Sequence, residues 1–105
     1  MGLSEAGYDI YKGTTNSGDG LNHYYVIVYY KCDNFYRTFR KVYEWFDSDI
    51  TGRFGCYYNY DNDRRSQNKR ISYCTVESYF DDSKRKYYKN CQIYANNFYD
   101  KLKNY

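Results

Sequence analysis

The chain has no proline in 105 residues, and only one histidine, one tryptophan and one methionine. Ordinary usage would place about five prolines in a chain of this length. Proline breaks helix interiors and central strands, so its absence leaves room for long uninterrupted elements. Leucine, isoleucine and valine together supply only 12 residues. No apolar run approaches the roughly 20 residues of a membrane-spanning helix. Cys-x-x-Cys, Gly-x-Ser-x-Gly, His-Glu-x-x-His and the phosphate-binding loop are all missing. The usual sequence marks of dithiol redox enzymes, serine hydrolases, zinc proteases and P-loop ATPases are missing with them.

What the chain has instead is tyrosine. Eighteen Tyr, six Phe and one Trp bring aromatic residues to 24%. That argues against disorder, which goes with few aromatics. The length suits one domain. Its core must be built largely from Tyr and Phe, and a buried Tyr needs a partner for its hydroxyl. Charged residues are 28% and the net charge is +3. The excess is local. Residues 61–105 hold ten Lys or Arg against six Asp or Glu, and residues 1–60 sum to −1.

Four cysteines, Cys32, Cys56, Cys74 and Cys91, are spaced by 24, 18 and 17 residues. An even count in a short chain points to disulfides in an oxidising compartment. Free buried thiols are the rival. Zinc sites usually show close cysteine pairs, and His23 is the lone histidine, so no metal or other cofactor is expected. The first residues, MGLSEAGYDIYKG, lack an apolar signal core. The chain is then either cytosolic or the mature form of a secreted protein with an added methionine, and the cysteines favour the second.

Residues 1–20 read as a flexible arm, with a loop cluster from Gly13 to Gly20. From Tyr25 onward, Tyr25, Val28, Cys32, Phe35, Phe39, Val42 and Phe46 step by three and four, the stripe of a core-facing helix over about 22–47. Asp19 or Asn22 would cap it. The segment Tyr24 to Tyr30 is β-branched and aromatic and taken alone reads as a strand, leaving a strand followed by a helix from Asp33 as the fallback. Asp61 to Lys69 reads as a loop. A short helix is expected over about 68–80 and a last one over about 83–103, with Asp81-Asp82-Ser83 as turn and cap between them. Lys101 and Lys103 suit the end of the last helix. The expected fold is mainly α: residues 21–105 form a small disulfide-stapled bundle of three or four helices.

In a hairpin turning near Asp82, Cys74 and Cys91 lie at similar heights, which favours Cys74–Cys91 and leaves Cys32–Cys56. The chain after Phe46 can return along the first helix over the roughly 21 Å that the second bridge needs. Each bridge would then enclose cysteine, tyrosines and a second cysteine followed by tyrosine, in units of about 22–60 and 68–105.

Catalytic candidates are few. His23 is an acid or base by type, but beside a linker it reads as a surface or capping residue. Asp47/Asp49, Asp61/Asp63 and Asp81/Asp82 fall in turn-rich breaks, where Asp serves caps and turns. No enzyme is expected. The binding candidates are Arg64, Arg65, Lys69, Arg70, Lys84, Arg85 and Lys86, interleaved with Tyr73, Tyr87 and Tyr88. Basic groups among exposed aromatics can hold single-stranded nucleic acid by phosphate contact and stacking. Exposed tyrosines also make protein interfaces, because the ring gives apolar area and the hydroxyl tolerates water.

The twofold arrangement is Cys32, Tyr36, Tyr43 and Cys56-Tyr57-Tyr58, then Cys74, Tyr79, Tyr87, Tyr88 and Cys91 with Tyr94. It resembles the bicycle proteins, secreted salivary effectors of gall-forming aphids with paired cysteine–tyrosine–cysteine motifs. The resemblance covers about residues 32–94. It implies secretion, delivery into plant tissue and binding of a host macromolecule, expected to be a protein. It implies no catalytic residues.

Overall fold

Tyr24-Tyr25-Val26-Ile27-Val28-Tyr29-Tyr30 has apolar side chains at odd and even positions alike, and such a run can be buried on both sides of a sheet. The computed structural model describes residues 7–16, 22–32, 37–55 and 64–105. It contains β1 (Gly7–Asn16), β2 (Asn22–Cys32), β3 (Arg37–Phe46), β4 (Asp49–Phe54) and β5 (Arg64–Ile71), followed by α1 (Tyr73–Ser83) and α2 (Cys91–Lys103). The strands form one antiparallel sheet in the order β4-β3-β2-β1-β5. The protein is therefore a mixed α and β domain, a correction to the helical bundle expected above. No helix among the described residues is long and apolar enough to cross a membrane.

The misreading has a physical source. The three-four stripe takes its residues from both faces of two strands. Val28 and Phe39 belong to the face that carries the helices, whereas Tyr25 and Val42 are buried on the other. The true period is two. On the helix face Val26 stands opposite Tyr43, Val28 opposite Lys41 and Tyr30 opposite Phe39. Ile27 and Val42 face each other on the reverse side. The strand half of the fallback is correct for residues 24–30, but the helix from Asp33 is not, since Arg37–Phe46 is a strand. Asn22 opens a strand and caps no helix. Residues 64–69, expected as loop, pair with β1. Gly7–Asn16, within the segment read as an arm, lies between β2 and β5.

The helices are nearer expectation. Ser72 caps α1 by accepting from the Thr75 amide, and Asn90 caps α2 by accepting from the Ile93 amide. Asp81-Asp82-Ser83 is the last turn of α1 and not the cap of the next helix. That shift removes the Cys74–Cys91 bridge. Tyr94, in the first turn of α2, bonds Ser83 at the end of α1, whereas Cys74 lies nine residues back, about 14 Å along the axis. A disulfide needs Cα atoms within about 7 Å. Cys74 is an exposed free thiol. The expected Cys32–Cys56 bridge falls on side chains outside the described residues. Among the described residues the first supposed unit holds β2, β3 and β4, and the second holds the end of β5 and both helices.

α2 lies over β1, β2 and β3. The core between the layers holds Val26, Val28, Tyr30, Tyr43, Ile71, Val76, Phe80, Tyr94, Ala95, Phe98, Tyr99 and Leu102. Tyr43 sits at its centre, 5.1 Å from the Phe80 ring and 5.0 Å from the Phe98 ring. Its neighbour across the ladder is Gly52. A Cβ at Gly52 would stand 3.1 Å from the Tyr43 ring and 3.2 Å from Lys41 Cε. The missing side chain is the space in which that ring and the lysine stem lie.

α1 is tied to the sheet by polar contacts. Lys41 Nζ donates to Glu77 Oε1 at 2.7 Å and to the Tyr73 hydroxyl at 2.9 Å. Tyr43 donates to Glu77 Oε2 at 2.7 Å. Each phenol has one hydrogen, so Tyr30, 2.8 Å from the Tyr43 oxygen, donates to it. Lys41 Nζ also lies 5.0 Å from the Phe54 and Tyr73 ring centroids, close enough for cation–π attraction.

β3 and β4 are joined by Asp47 and Ser48, whose φ angles are 52° and 63°. Two positive φ values make the hairpin turn whose twist matches the strands. Serine pays a steric penalty there that glycine does not. Ser48→Gly should stabilise the protein by about 0.5–1 kcal/mol, and Gly52→Val should destabilise it by about 1–3 kcal/mol. Urea denaturation of both variants measures the two effects.

Candidate functional site

The most exposed aromatic side chain among the described residues lies where α1 gives way to α2. Ser83 closes α1 by donating to the Phe80 carbonyl at 2.6 Å, and the Tyr94 hydroxyl donates to Ser83 Oγ at 2.9 Å. Burial pushes the Tyr94 phenol above its ordinary range, while the Ser83 contact pulls the other way. The amides of Lys84, Arg85 and Lys86 donate to Phe80, Asp82 and Ser83 carbonyls, so the chain leaves the helix in a bonded turn. After this turn two adjacent tyrosines part company. Tyr88 turns inward and meets Tyr94 edge-on at 4.9 Å. Tyr87 points out and is 90% exposed.

Clefts open on both sides of this pair. The larger, about 490 Å³, runs between the helices and is walled by Tyr79, Tyr88, Ile93 and Phe98, with Lys86, Lys89 and Lys101 beside them and Asp82 as its acidic group. The smaller, about 300 Å³, lies toward the β3–β4 hairpin, among Trp45, Ile50, Asp49, Lys84 and Lys86. Tyr87, Tyr88 and Lys86 line both. Lys86 and Lys89 make no ion pair among the described residues. Lys84 approaches Asp81 at 3.9 Å, an exposed pair worth little in water.

Four of the expected binding residues, Lys84, Lys86, Tyr87 and Tyr88, thus line the two clefts, and Arg85 lies in the same turn without lining either. The others are elsewhere. Arg64, Arg65, Lys69 and Arg70 lie on β5, four strand spacings from β4 and so about 19 Å from that edge. Tyr73 belongs to the Lys41–Glu77 network. Comparison of the chain with protein-family models, curated proteins and solved structures finds no match. The site therefore rests on its own geometry. Lys89, Lys101, Tyr79, Ile93 and Trp45 were missed by sequence reading. Ile93, Asn97 and Lys101 had a legible signal, since spacing by four places them along one side of α2.

His23 was also misplaced. It is 6% exposed, and its Nε2 lies 2.6 Å from Glu44 Oε1. Glu44 is fully buried, with Arg53 Nη2 3.9 Å from its other oxygen. Phe46 meets the imidazole edge-on at 5.3 Å. The pair lies on the sheet face away from the helices, beside Tyr25. Its place in the sequence, next to a Gly-rich stretch, suggested the surface; the period-two reading of β2 puts it in line with Tyr25 and Ile27. Among the described residues no cluster of His, Cys, Asp or Glu suits a metal ion.

The two sites should respond differently to mutation. His23→Leu should cost about 3–5 kcal/mol by leaving a buried carboxylate without its closest donor. Tyr87→Ala should change stability by no more than about 0.5 kcal/mol. Thermal or urea unfolding distinguishes them.

Proposed function

We propose that the chain is a non-enzymatic binding protein that engages a host macromolecule, a protein, through the surface centred on Tyr87. The observation that carries this reading is the 90% exposure of Tyr87 between two clefts that it helps to line. Holding a large aromatic ring in water forgoes roughly 1.5–3 kcal/mol of burial. The fold half-buries Tyr88, the next residue, against Tyr94, which makes the outward ring a feature of the loop's geometry. Tyrosines at the centre of apolar clefts are favoured interface anchors. The wider setting, a secreted effector acting in plant tissue, rests on the sequence resemblance to bicycle proteins alone, since Cys74 and Cys91 are free thiols.

A second reading has its own observation. The exposed ring stands within three residues of Lys84, Arg85, Lys86 and Lys89, a stacking platform flanked by phosphate-binding charges. Binding of labelled oligonucleotides that weakens steeply with salt would favour it.

Capture from host-plant extract with immobilised protein tests the first reading. The folded wild type should retain a defined protein, and Tyr87→Ala should lose most of it while remaining as stable as wild type. Equal retention by the two proteins would remove this surface from the function.

A further inference from the structure

We infer that the cleft between α1 and α2 takes an acidic segment of the partner protein, with one apolar side chain of that segment seated on the aromatic floor. This rests on the protein-binding reading above and gives it a partner chemistry. The floor is made by Tyr79, Tyr88, Ile93 and Phe98, and the volume of about 490 Å³ is ample for one large side chain. The rim is cationic. Lys86 and Lys89 come from the loop and Lys101 from the last turn of α2, against Asp82 alone.

The cations are held apart from the protein's own carboxylates in a telling way. Lys101 Nζ rests 5.2 Å from the Tyr79 ring centroid, so its charge is kept at the cleft mouth by an aromatic face. Lys86 and Lys89 have no ion pair among the described residues. Adding a carboxylate-bearing segment would pair these charges at a half-enclosed surface, where attraction is stronger than in open water. Beyond Tyr87 the segment would meet Lys84 in the second cleft. A cationic segment would face Lys86, Lys89 and Lys101 in the first cleft, which gives that cleft discrimination as well as affinity.

Fluorescence anisotropy with the full chain provides the test. The probes are a labelled peptide with a central leucine among glutamates, the same peptide with glutamines, the same with serine for leucine, and a labelled oligothymidylate. The acidic leucine peptide should bind at least ~10-fold more tightly than the other three. The double variant Lys89→Glu, Lys101→Glu should weaken it by ~10-fold or more, with Thr38→Glu, at an exposed position on β3, as the control. Equal binding of the peptides, preference for the oligothymidylate, or indifference to the double charge reversal would overturn the inference. Should these fail while Tyr87-dependent capture of a host protein persists, the acidic-segment inference falls and the protein-binding reading stands. If Tyr87→Ala leaves capture unchanged, the wider reading falls first.

Discussion

The Glu77 carboxylate accepts hydrogen bonds from Lys41, Tyr43 and Tyr73, and Tyr30 extends the chain through Tyr43. Four of these five side chains come from β2, β3 and the first residue of α1; the carboxylate itself stands one turn further along α1. A charge at such a junction is costly unless it is paired and fully hydrogen-bonded. Here both oxygens are used, and the lysine that neutralises the carboxylate is enclosed by the Tyr43, Phe54 and Tyr73 rings. Apolar contact alone would let α1 slide along the sheet. Directional bonds to two strand residues fix its height and rotation.

The rest of the helical layer follows from that placement. Gly52 gives room to the Tyr43 ring, Tyr43 packs on Phe80 and Phe98, and Phe98 stacks with Tyr94 at 6.0 Å. Tyr94 bonds back to Ser83 where α1 ends. The loop that holds Tyr87 outward is thus braced at both ends by groups traceable to the sheet. Tyrosines with hydroxyl partners build the interior, while Tyr87 is left outside it.

Part of this was legible in the sequence, and the failures have physical causes. The need for hydroxyl partners in a tyrosine core is met by Tyr30, Tyr43, Tyr73 and Tyr94. The last helix and its basic end were readable from the spacing of Tyr94, Phe98 and Leu102, but its start was not: it begins at Cys91 and not near Ser83. The sheet was not. β2 is buried on both faces, so its apolar run fits a period of three and four as readily as a period of two. Once that segment was taken as helix, Arg37–Phe46 was carried along with it, and His23 lost its strand neighbours. β5 had no apolar residue before Ile71 to betray it; its pairing with β1 is a tertiary matter. At the site, the run from Lys84 to Tyr88 was visible because it is contiguous, whereas Lys101 and Trp45 join it only through packing.

Burial is the first cause that pushes the phenols of Tyr30, Tyr43 and Tyr94 above the ordinary value of 10.0, with the nearby Glu77 charge adding to it for the first two. Above pH 10 the unfolded chain releases these protons and the native protein keeps them. The stability they contribute is therefore complete below that pH and is lost as pH rises past it, by about 1.4 kcal/mol per pH unit for each group. An ultraviolet titration of tyrosine ionisation between pH 8 and 13 tests the central claim most directly. Among the 18 tyrosines, these three should hold their protons past pH 10 and ionise together only in a cooperative unfolding step. A single reversible wave near pH 10 that includes every tyrosine, with the fold intact, would contradict it.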